Sequence, residues 1–248
     1  MVPRIPWPIT LTVVALQPLI ALFVWRILAT GASRPVRLGL ALYLFAWLGL
    51  AFVLAPSAAS LAVRDRFYLT PLIPIFAVGS IAIALAAVAL SPALRRAIET
   101  APLPAIIGVQ FYRALGALFV ILLALGQLPA HFAEPAGWGD VFVGVTAPLV
   151  ALGLARGWSG ARALAVGWNV FGLLDLFVAV GMGTGFLAPY LVPELGSRVP
   201  PAAAMGAFPM ILVPTFAVPL SIILHVIALV RLRHVRTVDV RLVARAAG

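Results

Sequence analysis

The chain has 248 residues, of which 64% are hydrophobic and only 10% charged, with a formal net charge of +10 and no cysteine. Too little polar surface remains to coat a soluble domain, so lipid must be the solvent for much of the chain, and disulfides, thiolate catalysis and thiolate metal sites are excluded. All 17 basic residues are arginine, which removes any retinal or pyridoxal Schiff base, since both need a lysine amine.

In chain order, seven apolar stretches follow one another: Trp7–Leu28, Leu38–Leu54, Phe67–Leu90, Ala105–Leu125, Trp138–Ala155, Ala163–Gly183 and Pro209–Val230. A helix rising ~1.5 Å per residue needs about 20 apolar residues to cross a hydrocarbon core of ~30 Å, and each stretch is read as one crossing. The expected fold is an all-α bundle of seven transmembrane helices. A single transmembrane domain over residues 1–230 is followed by a basic tail, residues 231–248. The Ala, Arg, Gly and Pro bias points to a GC-rich bacterial genome, and so to a bacterial inner membrane.

The arginines give the orientation. Arg26, Arg34 and Arg37 follow the first span, Arg95 and Arg96 the third, and Arg156 and Arg162 the fifth. Arg231, Arg233, Arg236, Arg241 and Arg245 follow the seventh, whereas the opposite side holds only Arg4, Arg64, Arg66 and Arg198. By the positive-inside rule the N-terminus is outside and the C-terminus cytoplasmic. The same bias accounts for the net charge without nucleic acid and marks a surface for anionic lipid. Ala29-Thr30-Gly31 and Thr30-Gly31-Ala32 resemble signal-peptide cleavage sites. Cleavage would send Arg34 and Arg37 outside, so the first span is read as retained.

Polar groups at membrane depth carry the functional reading, because an ionisable side chain there costs ~2.5 kcal/mol or more. The first span holds Gln17 beside Pro18. In the fourth, Gln110 and Arg113 share a helical face that an α-helical period continues to Ala117 and Ala124. The sixth carries Trp168, Asn169 and Asp175, with Gly172 and Ala179 as a small-residue seam for a neighbouring helix. The seventh carries Ser221 and His225, four apart. Arg113 and Asp175 are the opposite charges within spans, at depths that helical rise puts ~6 Å apart, within reach of a long arginine. Their pairing, with Gln110, Asn169 and His225 in the same polar core, is read either as a salt bridge that fixes packing or as a substrate and proton site.

A second group, His131, Glu134 and Asp140 in HFAEPAGWGD, is read as an arginine-free external loop between the fourth and fifth spans. There Asp140 either caps the fifth helix or belongs to a cation- or proton-uptake site. The segment from Thr184 to Phe208 (containing Phe186, Leu187, Tyr190, Leu191 and Pro193) is expected as a lid-like loop in the headgroups, with a re-entrant segment as the alternative. Among Pro18, Pro71, Pro74, Pro148, Pro214 and Pro219, the last two flank Thr215 and form the expected hinge. The tail RLRHVRTVDVRLVARAAG either extends the seventh helix or lies on the inner leaflet. No metal or cofactor is expected. His131, His225 and His234 do not combine into a ligand set, and neither a phosphate loop nor a GxSxG elbow is present.

The strings VQFYRALGALFVILLALGQLP, GWGDVFVGVTAPLVA, GWNVFGLLDLF and FPMILVPTFAVPLSIILHVIAL together resemble a group of small bacterial multi-spanning membrane proteins of uncharacterised function. The likeness runs from Ile106 to Leu232 and rests on Gln110, Arg113, Gly139, Asp140, Gly144, Pro148, Trp168, Asn169, Pro219 and His225. It implies membrane location and brings no activity. Three functions are carried forward. The first is a small transporter or permease-like protein with its site at Arg113, Asp175, Asn169 and His225. The second is a non-catalytic membrane subunit or receptor-like module, partnered by another membrane protein or a second copy, whose buried charges organise packing. The third is a membrane-embedded enzyme acting on lipid, for which no nucleophile–base or metal constellation is visible.

Overall fold

The structure is a computed structural model and describes residues 5–65, 72–192 and 202–246. Arg4, Arg66, Pro71, Pro193 and Arg198 lie outside the described residues. Among those described there is no strand. Seven helices are long and apolar enough to cross a membrane: Trp7–Leu28, Arg34–Val53, Ile73–Leu90, Leu103–Ala124, Ala130–Ala155, Ala161–Gly183 and Val213–Arg233.

α1 (Trp7–Leu28) packs on α2 (Arg34–Asp65), and α3 (Leu72–Leu90) leads into α4 (Pro92–Thr100), a short helix between spans. Pro92 opens α4, and the Ser91 hydroxyl caps it by accepting the Leu94 N–H at 3.2 Å. It buries Ala97 and Ile98 and exposes Arg95 and Arg96, so the connection after the third span is an amphipathic helix.

The fourth span is broken into α5 (Leu103–Gly108), a three-ten stretch (Val109–Gly116) and α6 (Ala117–Ala124). A three-ten helix repeats every ~3.0 residues, so its buried positions step by three. Gln110, Arg113 and Gly116 are accordingly buried; α6, which follows with its phase shifted, buries Phe119 and Leu122 and exposes Ala117 and Ala124. The α-helical period had put those alanines on the Arg113 face, and the tighter winding corrects that.

α7 (Ala130–Ala155) begins directly after Pro129, well before Trp138. Phe132, Ala133, Ala136, Gly137 and Asp140 fall on one helical face and are all buried, which is why HFAEPAGWGD winds into the helix. α8 (Ala161–Gly183) and the single turn α9 (Ala188–Leu191) follow. After a three-ten turn (Ala203–Gly206), the chain enters the bundle through a π-helical turn (Val213–Ala217) and continues as α10 (Val218–Ala246). The helix thus runs through most of the basic tail.

Of the Thr184–Phe208 segment, residues 193–201 lie outside the described residues. Met205, Met210, Ile211 and Leu212 are buried with Phe119 and Phe132 in one apolar cluster, so the irregular backbone of residues 207–211 is covered by protein. Irregular backbone at membrane depth is tolerated under that condition. The π turn overlaps the expected hinge. Its Thr215 carbonyl accepts the Trp47 indole N–H at 3.0 Å, which supplies a partner where regular helical bonding fails.

Two apolar clusters divide the bundle. One gathers Val13, Phe119, Leu122, Phe132, Ala136, Ala179 and Met182, and the other Ile20, Val24, Ile106, Ile107, Val143, Ala147, Ala165 and Trp168. On the first, fourth, fifth and sixth spans the change from one cluster to the other comes at a polar residue: Gln17, Gln110 with Arg113, Asp140, and Asn169 with Asp175. The functional groups therefore form a polar layer with apolar packing on both sides.

Candidate functional site

Glycine brings the fourth and fifth spans into backbone contact. A Cβ on Gly144 would stand 2.1 Å from the Ala114 backbone nitrogen, and one on Gly116 would stand 2.3 Å from the Asp140 Cβ. A larger side chain at either position would separate the helices, and small residues let transmembrane backbones close in this way. The close approach carries Asp140 against the three-ten stretch. By helical rise Asp140 lies roughly 15 Å into its helix from Ala130, and Asp175 roughly 12 Å from the Gly183 end of α8, so both reach the same layer.

Arg113 is the centre of that layer. Its side chain is 2% exposed and donates in three directions. Nε–H meets Asp140 Oδ1 at 2.6 Å, and Nη2–H meets Asp175 Oδ2 at 2.5 Å. Nη1 donates to the Gly172 carbonyl at 3.2 Å and to His225 Nε2 at 2.8 Å. Nε and Nη2 form one edge of the planar guanidinium, an edge that a single carboxylate commonly occupies with both oxygens. Here two carboxylates from two helices share it.

The donors fix the tautomer of His225. A guanidinium has no acceptor, so Nε2 accepts from Arg113 and the ring proton resides on Nδ1. Nδ1 then donates to Asn169 Oδ1 at 2.9 Å, and the Asn169 amide donates to the Ala165 carbonyl at 2.7 Å. The imidazole is neutral in this arrangement, because an imidazolium would turn an N–H towards Arg113. Trp168 packs on the ring, with centroids 5.3 Å apart. Gly172 makes the space: a Cβ there would lie 2.4 Å from His225 Cε1 and 3.1 Å from Arg113 Nη1. Gly139 does the same for Asp175, whose Oδ1 would be 1.7 Å from a Cβ on Gly139.

One guanidinium faces two carboxylates, and with His225 neutral the cluster carries an excess negative charge when both are ionised. Burial of an uncompensated charge costs several kcal/mol, so a proton or a cation is needed to balance it. Neither Asp140 Oδ2 nor Asp175 Oδ1 has a hydrogen-bond partner among the described residues, so each is an oxygen left to receive either. Asp140 borders two cavities. One, of about 50 Å³, is also lined by Gln17, Tyr112, Arg113 and Ser221, and it is large enough for water between these polar groups. The other, of about 220 Å³, is mostly apolar.

The structure thus brings together Arg113, Asp175, Asn169 and His225. Gln110 is buried one turn away, and neither of its side-chain polar atoms has a partner among the described residues. The grouping of His131, Glu134 and Asp140 as an external loop is corrected. His131 and the exposed Glu134 lie at the start of α7, and Asp140 lies deeper, paired with Arg113 instead of capping a helix. Sequence reading missed the membership of Asp140 because it started the helix too late. The face Phe132, Ala133, Ala136, Gly137, Asp140 was the available signal. It also missed the hydrogen bonds of Tyr112 to Ser221 (2.7 Å) and of Trp168 to Thr146 (2.9 Å), which lock the neighbouring turns.

No group of three or more His, Cys, Asp or Glu that could hold a metal ion occurs among the described residues. No curated protein and no solved structure matches the chain. Residues 70–233, which hold every side chain of the Arg113 cluster, match a family described as Domain of unknown function (DUF8737), and the chain belongs to that family.

Proposed function

We propose that the protein is a small membrane transporter in which Asp140 and Asp175, clamped on one edge of Arg113, carry the coupling proton. The observation that carries this reading is the charge count of the buried layer: two carboxylates, one guanidinium and a neutral imidazole. Like-charged carboxylates held together do not both ionise readily, and one shared proton relieves them. The apolar clusters on either side would keep the layer from being a continuous water path, as alternating access requires. Four of the five N–H donors of Arg113 are held by the protein's own acceptors, so its role is to set the charge of the aspartates, not to bind an anionic substrate. The π turn of the seventh span, beside Pro214, is the element on which an opening motion would turn. In the bacterial inner membrane this reading implies, the arginine-rich ends face the cytoplasm and its anionic lipid.

The test uses purified protein in vesicles, with lumenal pH recorded while small organic cations, amino acids and metal ions are added in turn. At least one class should drive a proton current that Asp140→Asn and Asp175→Asn abolish while both variants remain folded. Silence across the whole panel would sink the transport reading.

A second reading, a membrane subunit with structural charges, is favoured by a different observation. The partners of Arg113 come from α7, α8 and α10, so one side chain ties four spans together. A double-mutant stability cycle on Arg113→Gln and Asp175→Asn separates the two readings. Strong coupling in a protein with no proton current supports the subunit.

A further inference from the structure

The cavity of about 220 Å³ beside Asp140 is lined by Phe119, Phe132, Leu176, Ala179, Met205 and Pro214, and by Ala77 of α3. Its polar lining consists of Asp140 and Thr184, and the Thr184 hydroxyl is committed to the Val180 carbonyl at 2.8 Å. Among the described residues, Asp140 is therefore the one ionisable group that lines this space. Phe119 and Phe132 stack beside each other with centroids 5.7 Å apart.

From this lining we propose that the cavity is a binding site for a small lipophilic organic cation, which rests on the transport reading and gives its substrate class. An anion would add to the negative charge that the cluster develops when the aspartate pair gives up its proton. A hard metal ion seeks six or more oxygens at close range, and a wall of hydrocarbon with one carboxylate does not provide them. A neutral lipophile could not replace the proton as the charge that balances the carboxylates. An ammonium head with an apolar body satisfies both features, its charge near Asp140 Oδ2 and its body against the apolar wall. Aromatic faces add cation–π attraction of ~2 kcal/mol in a desolvated site. The volume sets the size: it exceeds the ~150 Å³ that holds one benzene and falls below the ~300 Å³ at which drug-sized sites begin. A single ring bearing an ammonium head fits.

Charge balance dictates the exchange. The groups facing Asp140 are Arg113, Asp175 and Tyr112, with His225 beyond Arg113. When the aspartate pair holds a proton, entry of one monocation must release it, one for one, with no other bond made or broken.

Calorimetry on the full-length protein in detergent tests this, using benzyltrimethylammonium and its uncharged carbon isostere neopentylbenzene as probes. Two buffers of different ionisation enthalpy count the protons released. The expected result is saturable one-to-one binding of the cation, with the isostere about tenfold weaker or worse. Asp140→Asn should weaken the cation about tenfold without weakening the isostere, and Ala77→Leu, which fills the space from α3 and leaves the carboxylates alone, should weaken both. Equal affinity for cation and isostere, or cation binding indifferent to Ala77→Leu, overturns the proposal. If Asp140→Asn does not fold, the isostere and Ala77→Leu still decide. Infrared detection of a protonated carboxyl in the ligand-free protein separates the two failures. No cation binding with that band present overturns the substrate class alone, whereas absence of the band overturns the proton-carrying reading as well.

Discussion

A methyl group placed at Gly139 should reverse the usual effect of replacing a helical glycine. In a helix interior, Gly→Ala is favourable by ~1 kcal/mol, because alanine loses less backbone entropy on folding. At Gly139 the new Cβ would sit 1.7 Å from Asp175 Oδ1 and 2.5 Å from its Cγ, an overlap that no small shift of a flexible chain end relieves while the carboxylate remains on Arg113. Asp175 must leave the guanidinium, or α7 and α8 must part. Breaking a buried ion pair costs ~3–5 kcal/mol and overpacking ~1–3 kcal/mol. The loss is moderated because Arg113 retains Asp140, which leaves that pair balanced. Set against the helix-propensity gain, the expected net loss is about 2–3 kcal/mol. Gly167→Ala on α8 is the control, since a Cβ there meets nothing within 4 Å, and it should be neutral or stabilising by up to ~1 kcal/mol. Equilibrium unfolding in detergent or bicelles, with both variants in one series, reads the difference. Equal stability of Gly139→Ala and Gly167→Ala would refute the packing of Asp175 against α7. Adding Asp175→Ala to Gly139→Ala removes the overlapping atoms and should recover part of the loss.

Other expectations use the same measurement. Arg113→Gln leaves two carboxylates with no cation and should cost ~3–5 kcal/mol, whereas Asp175→Asn leaves a balanced Arg113–Asp140 pair and should stay within ~1 kcal/mol of the parent. Similar losses in the two variants would contradict the charge count. Gln110→Leu replaces a buried amide without protein partners by an apolar group of similar volume, and should stabilise by ~1–2 kcal/mol. A destabilised Gln110→Leu would mean that the amide has a bound partner of its own. Tyr112→Phe and Ser221→Ala should each cost ~1 kcal/mol through loss of their shared hydrogen bond, and the double variant should cost less than the two losses added. Additive losses would mean that the two hydroxyls do not act on each other.

The crossings were legible because the bilayer imposes one simple demand. A run of about 20 apolar residues has few alternatives to a spanning helix, and the seven stretches read from the chain recur as the seven helices long enough to span. The same reading found Arg113, Asn169, Asp175 and His225, since polar side chains are conspicuous within such runs. It went astray where polar residues sat at the edge of a run. Asp140 follows HFAEPAGWG, whose glutamate, histidine and proline lower local hydropathy, so a helix start at Trp138 leaves a buried aspartate as a cap or an uptake site. It also went astray at Ala117 and Ala124, because hydropathy gives the existence of a helix but not its pitch.

Hydrophobic run length by itself thus determined which helices are long and apolar enough to cross a membrane, that there are seven among the described residues, and which of them carry charge, because each of these depends on transfer of local segments from water to lipid. The partners of those charges depend on the close approach of helices far apart in sequence. Gly116 and Gly144 let two backbones touch, Gly139 and Gly172 leave room for a carboxylate and an imidazole, and a three-ten winding turns Arg113 towards them. Glycine contributes nothing to a hydropathy profile, and its effect appears only when a second helix occupies the space that its missing side chain leaves. Tertiary structure alone therefore decided that one arginine holds two aspartates, and with that the excess charge on which the functional reading rests.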